Sequence, residues 1–348
     1  MLRQQYNKIN VKTFYQNKKF DFFQERNLSL REDKYNIKFR QHDDKRKSCS
    51  IAQLEDPREI RHRAGYITLG MTIIVKKGAE KMDESFEFKM RNNLNSLLSH
   101  SSGTPLHFVI ITDRNSLSSA AASLGSILGQ HVAERVITTR WSRARAVPRV
   151  TWTFVDCEII VSRERDFFTA MKRASRQGLG GGGSYSEDLF YIAPIYHKAF
   201  ASLDRIIFLD SKDLEFRSDI KLLQDQFAEM SEDAVISIGP DLTPHYRNEV
   251  RRYRALHPDT EVGGPGPGRQ GYNSGVVLYR LDKMRVSAVY TEYIKPQGVD
   301  RLMTRYMYKM FLAEQDWLTN LGWTHPELFH NLPCVFNRQT SIRNLEIK

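Results

Sequence analysis

Short apolar runs separated by helix-like segments are the feature that most constrains how this chain can fold. The runs 67–75, 107–112 and 205–209 are each closed by turn residues, and segments with helical spacing lie between them. Runs of this kind are typical of buried parallel strands. Strands that alternate with helices predict an α/β fold built on a mostly parallel sheet. We therefore expect one α/β domain over residues 65–348.

The segment before this domain differs from it in charge. The 348-residue chain has a net charge of +11, and residues 1–64 contain 16 Lys and Arg against 9 Asp and Glu, which leaves +7 in this segment. The rest of the chain, with 36 basic against 32 acidic residues, is close to neutral. We interpret residues 1–64 as a basic, weakly ordered leader and expect no nucleic-acid partner. An adaptor that binds nucleic acid through this leader is an alternative.

Composition also argues against several other classes of protein. Three cysteines cannot build a disulfide scaffold, and no Cys-x-x-Cys pair indicates thiolate-bound zinc. A membrane-spanning helix needs about 20 apolar residues, whereas the longest apolar stretch here has about ten. The N-terminus lacks the apolar core of a signal peptide. From the sequence we therefore expect neither a transmembrane segment nor a secretion signal.

Two acidic residues follow directly on the apolar run that ends at Leu209. Asp210 and Asp213 would lie at the carboxyl end of a parallel strand, where open α/β sheets bind ligands. Two neighbouring carboxylates favour a hard divalent cation, such as Mg²⁺ or Mn²⁺ bound to a diphosphate. A polar turn that caps the next segment is the alternative interpretation.

Two further motifs carry polar groups suited to ligand binding. A Gly- and Pro-rich loop from residue 263 leads into Asn273, Ser274 and Gly275, after which a strand begins. It matches neither a dinucleotide-binding fingerprint nor a phosphate-binding P-loop, and a flexible surface loop is the alternative. Farther along, Gln315 and Asp316 stand at the start of a predicted helix, where acidic residues are favoured in any case.

Taken in this order, the three motifs resemble those of family 8 glycosyltransferases of the GT-A (Rossmann-like) fold, and among them the xyloside xylosyltransferases. The resemblance covers residues 66–339 and is strongest from residue 184 onward. It is carried by the segments 185–190, 204–210, 244–247, 262–265, 271–276, 315–316, 325–330 and 337–339, together with Cys334.

The resemblance implies a retaining enzyme that moves xylose from UDP-xylose to a xylosyl-glucose O-glycan on EGF-like repeats of Notch-type proteins. Mn²⁺ or Mg²⁺ would be the cofactor, and the endoplasmic reticulum the compartment. By resemblance, Gln315 and Asp316 would be the catalytic residues, and Asp210 and Asp213 the metal ligands. The donor would be bound by Asp210, Asn273, Ser274, Gly275 and Tyr185.

The sequence departs from the family pattern in three places. The family's Asp-x-Asp is here the longer Asp210-Ser-Lys-Asp213, and Glu314 replaces the usual Asp. No segment after Gln339 matches the family's terminal His motif, which predicts a truncated domain. A paralogue that binds nucleotide sugar without full activity is therefore one alternative. A family 8 enzyme with another donor, such as UDP-glucose or UDP-galactose, is the other.

Overall fold

The computed structural model describes residues 12–13, 53–75, 82–101, 103–138, 150–179, 188–308 and 310–339. Three ranges carry a described backbone but no described side chains, namely 12–13, 129–138 and 176–179. The strands are β1 (Lys12–Thr13), β2 (Leu54–Glu55), β3 (Ile67–Thr72), β4 (Leu106–Thr112), β5 (Val150–Asp156), β6 (Arg205–Leu209), β7 (Ile236–Pro240), β8 (Tyr272–Arg280), β9 (Phe329–Asn331) and β10 (Arg338–Gln339).

Helices surround these strands, as the sequence pattern predicts. They are α1 (Glu84–His100), α2 (Leu117–Thr138), α3 (Cys157–Arg163), α4 (Arg165–Leu179), α5 (Tyr196–Ala199), α6 (Lys221–Gln224), α7 (His245–Glu249), α8 (Arg251–Leu256), α9 (Leu281–Val286), α10 (Ala288–Tyr293), α11 (Pro296–Thr304) and α12 (Glu314–Thr324). Across the ranges that the structure describes, no helix has the length and apolar character needed to cross a bilayer.

The sheet is mixed but mostly parallel, which confirms the predicted fold class. Within the described residues, eight strands pair in the order β2-β5-β4-β3-β6-β8-β7-β9, and β1 pairs separately with β10. The strands from β2 to β6 run parallel, so that their carboxyl ends meet at one edge. Strand β8 is antiparallel to both of its neighbours, β6 and β7. Its first residues therefore reach the edge at which β6 ends.

Buried side chains cover both faces of the sheet. Alternate residues of β4 belong to two different apolar clusters: Val109 and Ile111 pack in one, Phe108 and Ile110 in the other. Because neighbouring residues of a strand point to opposite faces, both faces of β4 are covered. This explains why β4 is a continuous apolar run rather than an alternating one.

A glycine allows the two central strands to approach closely. A Cβ atom added at Gly70 on β3 would lie only 2.4 Å from a ring carbon of Phe208 on β6. The Phe208 ring cannot easily move away, since it stacks on Tyr196 with 3.9 Å between ring centroids. Gly70 thus fixes the position of β6 in the sheet, and with it the position of Asp210.

Three boundaries differ from the sequence-based expectations. The β-rich stretch 150–161 is a strand only to Asp156, because the Asp156 carboxylate accepts a hydrogen bond from the backbone N–H of Glu158 and caps α3. The helix expected over 186–201 is interrupted near Pro194, which has no backbone N–H to donate. Strand β2 lies inside the segment predicted as leader, so the sheet extends N-terminal of residue 65.

Candidate active site

The chain turns directly after β6, and Asp210 holds this turn in place. Its Oδ1 accepts hydrogen bonds from the backbone N–H groups of Lys212 and Asp213, at 2.9 and 3.1 Å. Its own backbone is fixed on both sides, since its N–H donates to Gly275 and its C=O accepts from Asn93. The two aspartates are brought together by a turn, whereas an extended strand would have separated side chains three positions apart.

Asp213 is partly buried, with 17% of its side chain exposed, and lies among charges. Burial raises the pKa of its carboxyl, and the nearby negative charge of Asp210 raises it further. The ammonium groups of Lys212 and Lys89 act in the opposite direction. Lys89, on α1, places its Nζ 3.4 Å from the Asp213 Oδ1. Asp213 is therefore already engaged with a cationic side chain.

The start of β8 forms the second side of the site. Asn273 is fully buried, and its Oδ1 accepts from the backbone N–H of Gly275 and from the side-chain amide of Asn337. The Gly275 C=O in turn accepts from the Asp210 N–H. The structure therefore joins the predicted Asn273–Gly275 segment to the turn after β6. Asn273 shapes the backbone of this segment through its own side chain.

Helix α12 closes the site from a third direction. Gln315 accepts, through Oε1, from the backbone N–H of Ser274 at 3.0 Å and from its hydroxyl at 3.3 Å. The same hydroxyl lies 3.3 Å from the carboxylate of Glu314. These contacts span 40 and 41 residues of sequence, and they bring the second and third predicted motifs together.

Asp316 lies deeper than its neighbours on α12. Its side chain is fully buried, and Oδ2 accepts from the backbone N–H groups of Phe311 and Leu312 at 2.6 and 2.7 Å. Its Oδ1 accepts from the Tyr246 hydroxyl at 2.9 Å, and this hydroxyl also accepts from the Gln315 amide. Both carboxylate oxygens are thus engaged inside the protein. The contacts suit a positioning residue that orients Gln315 and the loop before α12.

Glu314 is a partly buried carboxyl that sequence reasoning treated only as a departure from a pattern. Burial raises its pKa from an ordinary value near 4.5 to about 8, and the charges of Asp316 and Asp210 raise it as well. The hydrogen bond from Ser274 opposes this shift. Near neutral pH, Glu314 is mostly protonated, so it can donate a hydrogen bond to a ligand in the site.

The raised pKa of Glu314 predicts how the free energy of unfolding depends on pH. Between pH values of about 4.5 and 8 the folded protein keeps the Glu314 proton while the unfolded chain has lost it, so unfolding is easier as pH rises. We expect Glu314→Gln to flatten this decline. Urea unfolding of both proteins at several pH values from about 5 to 8.5 measures it. Parallel profiles for the two proteins would contradict the assignment.

A cavity of about 330 Å³ lies farther along the same edge of the sheet. Sequence reasoning missed it, since its lining combines residues after β3 and β4 with α3, which the sequence predicts as part of a strand, and with residues 165 and 188–189. A volume of this size is enough for a small organic ligand. The lining residues are Ile74, Asp113, Cys157, Glu158, Val161, Ser162, Arg165, Asp188 and Leu189.

Most of the predicted site residues meet at this edge. The turn at Asp210 and Asp213, the segment 273–275 and the pair Gln315 and Asp316 form one connected set of contacts. Tyr185 lies outside the described residues. Over those residues, no group of three or more His, Cys, Asp and Glu side chains is arranged to hold a metal ion.

Comparisons with known proteins find similar sequences. Mouse xyloside xylosyltransferase 1 is 38% identical over 162 residues, which are 46% of this chain and 41% of the relative. The human xyloside xylosyltransferase 1 is 35% identical over 188 residues, covering 53% and 47%. The matches thus span less than half the length of these relatives. No family model matches the chain.

One solved structure carries the comparison of folds. The crystal structure of mouse xyloside xylosyltransferase 1, in its apo form, matches with a TM-score of 0.61 at 28% identity, covering 77% of this chain and 85% of that one. The chain thus shares the GT-A fold of this glycosyltransferase structure. Over part of its length, the chain is similar in sequence to the xyloside xylosyltransferases.

Proposed function

We propose that the chain transfers xylose from UDP-xylose to a xylosyl-glucose O-glycan on EGF-like repeats of Notch-type proteins, with retention of configuration and formation of an α-1,3 linkage. The observation that carries the proposal is the hydrogen-bonded connection of Gln315 to Ser274, beside the turn at Asp210. Through this connection the Gln315 amide lies near the carboxyls of Asp210 and Asp213, at the edge where parallel strands end. Sheets of this kind bind their ligands at that edge. Similarity to proteins named for xylosyl transfer supports the choice of sugar.

The parts of the donor can be assigned to the two halves of this edge. The cavity beside β3, β4 and β5 has the volume and the mixed apolar and polar lining suited to the nucleoside. The xylose would lie between the segment 273–275 and the first turn of α12. Tyr185, in the undescribed segment before Asp188, stays a predicted donor contact.

The chemistry requires that a diphosphate leave while a sugar oxygen attacks. In this proposal Gln315 is the catalytic residue, because its amide is fixed by Ser274 and Tyr246 beside the place proposed for the sugar. Asp316 supports Gln315 through the shared Tyr246 hydroxyl. Preorganised dipoles of this kind stabilise developing charge at little reorganisation cost.

The cation implied by the resemblance, Mn²⁺ or Mg²⁺, is a poor fit to the described residues. It would be bound by Asp210 and Asp213, but Oδ1 of Asp213 is paired with Lys89, and Oδ1 of Asp210 already accepts two backbone hydrogen bonds. Hard cations need several unengaged oxygen ligands. The proposed function therefore includes the nucleotide sugar and routes no step through a metal.

The compartment belongs to the proposal as well. O-linked glycans on EGF-like repeats are built in the secretory pathway, so an enzyme acting on them would work in the lumen of the endoplasmic reticulum. The sequence Asn27-Leu-Ser fits an N-glycosylation acceptor. A tagged protein from which endoglycosidase H removes a glycan at Asn27 would support this location.

Activity and donor choice can be tested with the full chain. Incubation with UDP-xylose and an EGF-like repeat bearing xylosyl-glucose should release UDP and extend the glycan by one pentose, as mass spectrometry would detect. Parallel reactions with UDP-glucose and UDP-galactose test the alternative donors. NMR of the product reports the anomeric configuration. UDP binding without turnover of any donor would support a catalytically impaired paralogue and would reject the transferase.

A further inference from the structure

The turn after β6 carries two lysines as well as its two aspartates. Lys212 lies within the turn, and Lys89 reaches it from the first half of α1. With Asp210 and Asp213, these side chains carry two negative and two positive formal charges. A divalent cation prefers a site with net negative charge, because the charge of its ligands offsets the loss of its hydration shell. The turn as a whole offers no such excess.

Lys89 forms an ion pair with Asp213. Its Nζ lies 3.4 Å from the Asp213 Oδ1, and both side chains are mostly buried, with 26% and 17% of their surfaces exposed. In such a partly buried pair the attraction is screened less by water than at the surface. An incoming cation would have to displace this ammonium and then stay close to it. Lys89 thus neutralises the carboxylate that the resemblance assigns to the metal.

Lys212 is placed differently. Its Nζ lies 5.5 Å from the ring centroid of Phe86, at the start of α1. Among the described residues, no carboxylate lies within ion-pair distance of this ammonium. A contact with a ring face leaves the N–H donors of Lys212 available, and ammonium groups bind phosphates as point charges. Lys212 is also one of the two residues that separate the two aspartates.

We propose that Lys212 binds the diphosphate of the donor directly and that Lys89 neutralises Asp213, so that donor binding at this turn needs no divalent cation. The inference rests on the proposed function, because it assumes a nucleoside diphosphate at this edge. It assigns the positive charge opposite the leaving diphosphate to a side chain of this protein. The same chemistry would bind free UDP and a UDP-sugar alike.

The test is calorimetric titration of the full chain with UDP, once in EDTA and once in excess Mn²⁺. We expect dissociation constants that agree within about threefold in the two conditions. Lys212→Met should weaken binding in EDTA by about tenfold or more, whereas Lys212→Arg, which keeps the charge, should stay within about threefold. Lys221→Met, which removes an exposed lysine of α6, is the matched control and should bind as the wild type does.

A second measurement does not depend on UDP. Electron paramagnetic resonance of added Mn²⁺ should detect only the free aqueous ion with the wild type. With Lys89→Met/Lys212→Met, which removes both positive charges from the turn and the ion pair at Asp213, we expect bound Mn²⁺. Circular dichroism checks that this variant is folded. If it does not fold, the wild-type spectrum still decides: bound Mn²⁺ overturns the proposal, and free Mn²⁺ supports it.

Failure of this inference differs from failure of the proposed function. UDP binding that strengthens about tenfold or more with Mn²⁺ would overturn the direct role of Lys212 and leave the donor assignment intact. Absence of UDP binding in both conditions would reject the donor assignment and the inference together. Equal binding by the wild type and Lys212→Met in EDTA would overturn the inference alone.

Discussion

Replacing Gln315 with alanine should lower kcat for xylosyl transfer by about 100-fold, with little change in the dissociation constant for UDP. Its amide is fixed at both ends, through Ser274 on β8 and Tyr246 on α7. A fixed dipole acts mainly on the charge that develops during transfer, so its loss should reduce kcat more than donor affinity. Initial rates with saturating UDP-xylose, together with UDP titration, measure the two effects separately.

Two further variants make this test specific. Ser274→Ala removes only the hydroxyl and leaves the backbone N–H that holds Gln315, so its kcat should fall much less. Gln226→Ala removes another buried glutamine, in the 3₁₀ turn after α6, and should leave kcat close to that of the wild type. A Gln315→Ala enzyme whose kcat stays within about tenfold of the wild-type value would refute the catalytic role.

Replacing Asp316 with alanine should lower the stability of the fold strongly. Its carboxylate accepts from the backbone N–H groups of Phe311 and Leu312 and from the hydroxyl of Tyr246, all in the interior. Asp316→Ala leaves these three donors without an acceptor, and we expect the free energy of unfolding to fall by about 3–5 kcal/mol. Urea denaturation followed by circular dichroism measures the change.

Two substitutions that remove less of this hydrogen-bond network serve as comparisons for Asp316→Ala. Tyr246→Phe removes one of the three hydrogen bonds and should cost about 1–2 kcal/mol. Asp316→Asn keeps one oxygen acceptor and should lie between Tyr246→Phe and Asp316→Ala. A cost for Asp316→Ala below about 1 kcal/mol would mean that the loop before α12 does not depend on this carboxylate.

The sequence predicts the parts of the site that depend on neighbouring residues. An apolar run that ends at Leu209 predicts where Asp210 stands, because a strand must end before a polar turn begins. The strand after Gly275 and the helix that begins at Glu314 are predicted for similar local reasons. Each motif can therefore be located without knowing what it contacts.

Contacts between distant segments could not be predicted in this way. Lys89 meets Asp213 across 124 residues, and Tyr246 meets Asp316 across 70. Neither lysine nor tyrosine has a local sequence pattern that indicates such a partner. The role of Asp316 depends on such contacts. Its position in the sequence does not tell whether its carboxylate would contact a substrate or lie buried below the site. The cavity beside β5 was missed because Val150–Val161 reads as one continuous strand.

The reversed direction of β8 has a consequence for how this site can vary. In a wholly parallel sheet, only connections that leave a strand could reach the carboxyl edge. Because β8 runs the other way, the Gly- and Pro-rich connection that enters it also arrives there, next to Ser274. Such a connection can change its length without shifting any strand register, so this loop can vary while the strands that hold Asp210 stay in place.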